Sequence, residues 1–286
     1  MNHQTNTDSK GINLLRDLFS RGKRVFDMQD INEVAQIQKI PPHQLRKILS
    51  SLAKRGLLLR IRRGLYVAIG LIPEQTNTDP FVISSFLIRG SVISHWSALQ
   101  YHGLTEQIPQ TITASTIKKV TTPSMHETKV MSSNMKHAWV IDDIRYEYIH
   151  VQDKNLKLGE GVEKIWINEF YSVLITDKER TILDVFINPK MFGGMGEALG
   201  VLENALSSNE IDVDKLIRYA VAYEKKYLAK RLGWALENFG IKAKVLKPLL
   251  DVKISHYTRL DPSSPPIGAC DKRWMIQNNL ITKAAK

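Results

Sequence analysis

Between residues 42 and 55, His43, Lys47, Ser50 and Lys54 recur at the three- and four-residue intervals that bring side chains onto one helical face, with Arg46 and Ser51 flanking them. Leu45, Ile48, Leu49 and Leu52 fall on the opposite face. A helix of this pattern can bury one side and lay the other, cationic and hydroxylated, in the major groove of a DNA duplex. His43, Gln44, Arg46 and Lys47, near its N-terminus, are candidates for contact with base edges. Lys54 and Arg55, near the far end, are candidates for phosphates. Shortly afterwards Arg60, Arg62 and Arg63 cluster around a tight turn. A basic hairpin tip can cross a phosphate strand or enter the minor groove.

The elements that must position these residues are legible on either side. Ile12, Leu15, Leu18 and Phe19 predict a helix over 10–20 with Ser9 as its N-cap, ended by Arg21-Gly22. Val25-Phe26 reads as a short extended piece. Asp27 is placed to cap a second helix over 28–37, whose Ile31, Val34 and Ala35 face inward. Ile40-Pro41-Pro42 breaks it, and Pro42 suits the first turn of the third helix. Leu57–Ile61 and Leu65–Ala68 read as two strands around Arg62-Arg63-Gly64. Three helices and a hairpin predict a winged helix-turn-helix over residues 1–70. Charge placement agrees: residues 9–70 hold 13 Lys/Arg and 4 Asp/Glu, a balance of +9 within a chain total of +11.

Residues 71–78 read as a polar, proline-containing linker, and residues 79–286 as a larger mixed α+β domain, so the chain as a whole is α+β. Asp79–Ile88 predicts a helix, Val92-Ile93 a strand, and Ser94 the cap of a helix over 95–102. Residues 110–150, Trp166-Ile167 and Val173–Ile175 are strand-rich. Thr176 with Glu179 has the spacing of a capping box that opens a further helix. The last third is mainly helical, over 197–206, 213–223 and 225–239. Lys225, Lys226, Lys230 and Arg231 form a second basic cluster there, either a partner-binding surface or a solvated helix face.

Several chemistries are disfavoured. The lone Cys270 rules out an internal disulfide and a multi-cysteine zinc site, and has no nearby His to activate it. Apolar runs are too short to span a bilayer and the polar N-terminus lacks a signal-peptide core, which predicts a cytoplasmic protein. Gly90-Ser91 lacks the downstream acidic pair of a nucleotidyltransferase. Gly193-Gly194-Met195-Gly196 precedes a helix but lacks the Lys-Ser/Thr of a phosphate-binding loop. His95 and His102 have no third ligand, and Trp234 and Trp274 read as core aromatics. Asp212 or Asp214 with Glu224 and Lys226 loosely matches a nuclease motif, but in helical rather than strand sequence. The expectation is a non-enzymatic protein without metal or cofactor. A DNA-binding nuclease and a winged helix that grips a protein are the alternatives.

Four stretches together resemble the AbiEi-type antitoxins of bacterial abortive-infection systems. They are Leu57–Val67 (LLLRIRRGLYV), Ser94–Leu104 (SHWSALQYHGL), Lys230–Gly240 (KRLGWALENFG) and Leu260–Asn278 (LDPSSPPIGACDKRWMIQN). The resemblance implies the antitoxin half of a two-gene phage-defence module, opposed to a nucleotidyltransferase-like toxin. It further implies a repressor of its own promoter that binds inverted repeats in double-stranded DNA, with a C-terminal part needed against the toxin.

Overall fold

The computed structural model describes residues 2–69, 78–120, 138–141, 143–152 and 160–280, with side chains from residue 9 onward. The first unit runs α1 (Asn2–Ser20), β1 (Val25–Asp27), α2 (Met28–Ile37), α3 (Pro42–Lys54), β2 (Leu58–Arg62) and β3 (Leu65–Ala68). Leu14, Leu15 and Leu18 of α1, Ile31 and Val34 of α2, and Ile48, Leu49 and Leu52 of α3 close one core with Phe26 and Tyr66. Gly11 lets α1 approach α3, since a Cβ there would lie 3.1 Å from Leu52. The strands form an antiparallel sheet of order β1-β3-β2. Asp27 caps α2 as expected, and Asp30 returns the bond to the Asp27 N–H, closing a capping box. Ser9 is not an N-cap. α1 is already helical from Asn2, because residues 2–8 contain no proline or glycine to stop it.

The second unit opens with α4 (Pro80–Leu87), β4 (Val92–Ile93) and α5 (His95–Tyr101). It continues through β5 (Thr111–Thr116), β6 (Ala138–Ile141), β7 (Ile144–His150), β8 (Val162–Trp166) and β9 (Ser172–Thr176). These strands make a mixed six-stranded sheet of order β6-β7-β5-β4-β9-β8, in which β5 with β7 and β4 with β9 are parallel. Then follow α6 (Lys178–Ile187), a 3-10 turn over Pro189–Phe192, α7 (Met195–Ser207), α8 (Val213–Ala222), α9 (Lys226–Asn238) and α10 (Lys247–Leu250). A small sheet of β10 (Thr258–Arg259), β11 (Ala269–Asp271) and β12 (Ile276–Asn278) ends the described chain.

Two expected caps are reassigned. Thr176 is the last residue of β9, with its hydroxyl 2.8 Å from that of Thr181. Asp177 caps α6 instead, accepting from the Arg180 N–H at 2.8 Å. Glu179 turns away to accept from the Asp212 N–H and pairs with Lys215. Ser94 stands at the N-cap position of α5, but its hydroxyl lies 2.8 Å from both His95 Nδ1 and Ser115 Oγ rather than capping the helix.

His95 is buried and stacks on Phe192. Burial disfavours its charged form and holds its pKa below the usual imidazole value, against the attraction of Asp184. The native state therefore needs the neutral ring. The stability this contributes is present above the unfolded-state pKa of about 6.5 and is lost as pH falls below it. The melting temperature is expected to drop as pH is lowered below about 6.5, and to drop less in His95→Gln, as thermal unfolding at a series of pH values will show.

The linker expected over 71–78 lies outside the described residues except for Thr78. On either side of it the units share a core, in which Val25, Leu65 and Val67 pack with Val82, Ile83, Leu87 and Tyr171. The Tyr171 hydroxyl accepts from the backbone N–H groups of Arg24 (2.5 Å) and Val25 (3.0 Å). Phe170 lies over Gly22, whose φ of +71° and lack of a Cβ admit the ring. Arg89 pairs with Asp27. The winged unit is thus held against the second unit by apolar burial, backbone hydrogen bonds and an ion pair.

Candidate nucleic-acid interface

α3 divides as its spacing requires. Leu45, Ile48, Leu49 and Leu52 are buried, whereas His43, Arg46, Lys47, Ser50, Lys54 and Arg55 are exposed and Gln44 and Ser51 half-buried. The second unit covers none of the exposed six. α3 contains no carboxylate, so nothing on the helix itself opposes an approaching phosphate. Its N-cap, Pro41, offers no side-chain oxygen to the first-turn N–H groups, leaving the positive end of the helix dipole uncompensated by a cap. Gln44 is partly engaged, because its amide oxygen accepts from Lys10 Nζ at 3.3 Å. That bond brings Lys10 from α1 to the reading end of α3. The helical periodicity of 10–20 contains Lys10, but only the packing of α1 on α3 places it here.

The wing is β2, a turn at Arg63-Gly64, and β3. Gly64 has φ +76°, and a Cβ there would lie 3.2 Å from Met28 Cγ, so the turn requires glycine. A bulge between Arg60 and Arg62 splits the arginines. Arg60 and Arg63 are exposed, while Arg62 reaches back to donate to the Phe86 carbonyl at 3.4 Å. Arg62 is thus shared between the wing surface and the joint of the two units. Arg63→Ala is expected to lower the slope of log affinity against log salt by about 0.9, one phosphate's worth, and Arg62→Ala by less; titration of a duplex at several salt concentrations measures both.

The second basic cluster separates. Lys225 and Lys226 are exposed, with Lys225 Nζ 5.9 Å from the Tyr227 ring. Lys230 is buried and donates to the carbonyls of Leu249 (3.3 Å) and Leu250 (2.8 Å). Arg231 is buried and donates to the Arg259 carbonyl at 3.0 Å. Burial pushes both side chains below their ordinary pKa. These two are corrected from candidate partner contacts to internal fasteners of α9 against α10 and the C-terminal segment. Gly233 makes the same connection: the Trp274 ring occupies the space a Cβ would need, at 2.1 Å. Trp274 Nε1 donates to Glu237, which also pairs with Arg273. The stretches 230–240 and 260–278, distant in sequence, are each other's packing partners.

An open cleft of about 1310 Å³ separates the sheet from this helical part, bordered by Trp96, Arg145, Glu147, Lys190 and Tyr227. Asp212, Asp214 and Glu224 are not among the residues that line it. Asp212 caps the start of α8, and Glu224 lies beyond its other end, a helix of ten residues or about 15 Å away. Among the described residues no group of three His, Cys, Asp or Glu could hold a metal. His102 donates from Nε2 to the Thr176 carbonyl at 2.6 Å and shares no site with the buried His95. The Gly193-Gly194 turn faces Asp261, whose carboxylate lies 3.6 Å from a Cβ built on Gly194, a poor setting for phosphate.

Three helices and a basic hairpin, fused to a larger mixed α+β part, define a winged helix-turn-helix protein. Residues 13–69, from α1 through β3, match the family model AbiEi_4, described as "Transcriptional regulator, AbiEi antitoxin". That match agrees with the resemblance drawn from the sequence and supports an antitoxin and regulator role. Among solved structures, the chain is similar to the RV2827C protein from Mycobacterium tuberculosis. The two are 14% identical with a TM-score of 0.61, over 92% of this chain and 89% of that one, a likeness of fold. No curated protein matches the chain. No helix among the described residues is long and apolar enough to cross a membrane.

Proposed function

We propose that this protein is a transcriptional autorepressor and antitoxin. It binds inverted repeats in its own promoter and opposes a nucleotidyltransferase-like toxin in a cytoplasmic phage-defence module. The observation that carries the reading is the exposed, carboxylate-free face of α3 beside the wing arginines, with Leu45, Ile48, Leu49 and Leu52 turned inward. His43, Arg46 and Lys47 read base edges, Lys54 and Arg55 hold phosphates, and Arg60 and Arg63 fix the register. Gln44, Ser50 and Ser51 complete the contact surface, with Gln44 positioned by Lys10. The second unit faces the toxin, with Lys225 and Lys226 the exposed cations available for it. No residue acts as a catalyst.

A reporter fused to the region upstream of the gene tests this. Repression by the intact protein is expected, with derepression when Arg46 and Lys47 are both changed to alanine. Toxicity of the neighbouring reading frame should be relieved by co-expression of the antitoxin. Equal reporter output with and without the protein would contradict the autorepressor reading.

A further inference from the structure

Four chain segments converge beside the wing tip. The Met28 N–H donates to the Gly64 carbonyl at 3.1 Å, placing the tip against the start of α2. Asp27, immediately before α2, pairs with Arg89 in the α4–β4 turn, and Arg89 also lies over the Phe86 ring at 5.6 Å. Phe86 in turn supplies the carbonyl that accepts from Arg62. Lys118, just past the end of β5, donates from Nζ to the Arg89 carbonyl at 2.6 Å, and Lys119 follows it, exposed. Among the described residues the carboxylates at this junction are engaged, Asp27 by its own helix cap and by Arg89, and Asp30 by the Asp27 N–H and by Lys23. Arg62, Arg63, Lys118 and Lys119 therefore leave a net positive surface that runs from the wing onto the second unit.

We propose that this strip is a second phosphate-binding site, contributed by the second unit, that grips the duplex outside the groove entered by α3. The inference rests on the DNA-binding reading above and extends it from one unit to two. Two physical features support it. The joint holds Lys118 and Lys119 at a set position beside the wing, since Tyr171 and Phe170 lock the units together at Arg24, Val25 and Gly22. A duplex that meets the wing tip continues past it, and its next phosphates meet whatever lies alongside. What lies alongside is cationic, so each contact releases condensed counterions.

The test uses the full chain and a duplex of about 40 base pairs from upstream of its gene, about four helical turns. Lys118→Ala with Lys119→Ala is expected to reduce the slope of log affinity against log salt by about 1.8, two phosphates' worth, with the melting temperature lowered only by the loss of the single exposed bond from Lys118 to the Arg89 carbonyl. Hydroxyl-radical footprinting should show protection lost at the outer edge of the site and retained at its centre. Lys118→Glu with Lys119→Glu should weaken binding further. Arg60→Ala with Arg63→Ala serves as the reference. If that pair lowers the slope while the lysine pair leaves slope and footprint unchanged, the strip is refuted and the winged-helix reading stands. If neither pair alters the slope, the winged-helix reading itself fails.

Discussion

Trp274→Ala is expected to lower the stability of the second unit by about 3–5 kcal/mol, the range for removing a large buried aromatic. The indole is fully buried on the bare backbone of Gly233, donates to Glu237, and has the Lys230 ammonium 5.7 Å from its ring. Truncation leaves a cavity between α9 and the C-terminal segment and removes the donor that Glu237 accepts. Gly233→Val approaches the same joint from the other side. Its Cβ would stand 2.1 Å from Trp274 Cζ3, so the ring must leave its seat and expose its apolar surface. Both variants should lower the denaturant midpoint and change tryptophan fluorescence. The winged unit's own core of Leu14, Phe26, Ile48 and Tyr66 contains neither residue, so the loss reaches that unit only through the core it shares with the second unit at Val25, Leu65 and Tyr171. An unchanged midpoint in either variant would contradict the role assigned to this contact.

Arg46→Ala and Lys47→Ala are each expected to cost about 1–3 kcal/mol of DNA affinity, roughly 5- to 150-fold, and to cost it unequally among sequences. The two residues are exposed near the N-terminal end of α3, on a helix whose buried side is already fully apolar. Losing them changes recognition without opening the core. Lys54→Ala, nearer the far end, should instead weaken all duplexes alike. Gel-shift titration against the promoter and a scrambled duplex separates the two kinds of contact. Uniform losses in all three variants would mean that α3 lies across the backbone rather than in the groove.

The winged unit was legible in the sequence because its determinants are local. A stripe at Leu45, Ile48, Leu49 and Leu52, a cap at Asp27, two prolines and a glycine turn each act within a few residues. Where a local signal competed with a distant partner, the partner won. Glu179 has the spacing of a capping box but bonds Asp212, 33 residues away. Ser94 precedes a helix but bonds Ser115 across the sheet. Lys230 and Arg231 look like surface charge, yet the carbonyls that bury them come from residues 249, 250 and 259. The strand order and the Tyr171 lock on Arg24 are likewise long-range, the latter joining residues 147 apart. Periodicity carries no information about such pairs. It assigned Lys10 to a helix without revealing that the helix delivers it to the candidate interface.

The most direct measurement is the salt dependence of binding to the promoter duplex. Contacts to about 5–8 phosphates predict a log–log slope of roughly −5 to −7. That slope should shrink when Arg60 and Arg63 are replaced, and the preference for the promoter over a scrambled duplex should shrink when Arg46 and Lys47 are replaced. A slope near zero, or affinity indifferent to all four residues, would contradict DNA recognition by the winged unit.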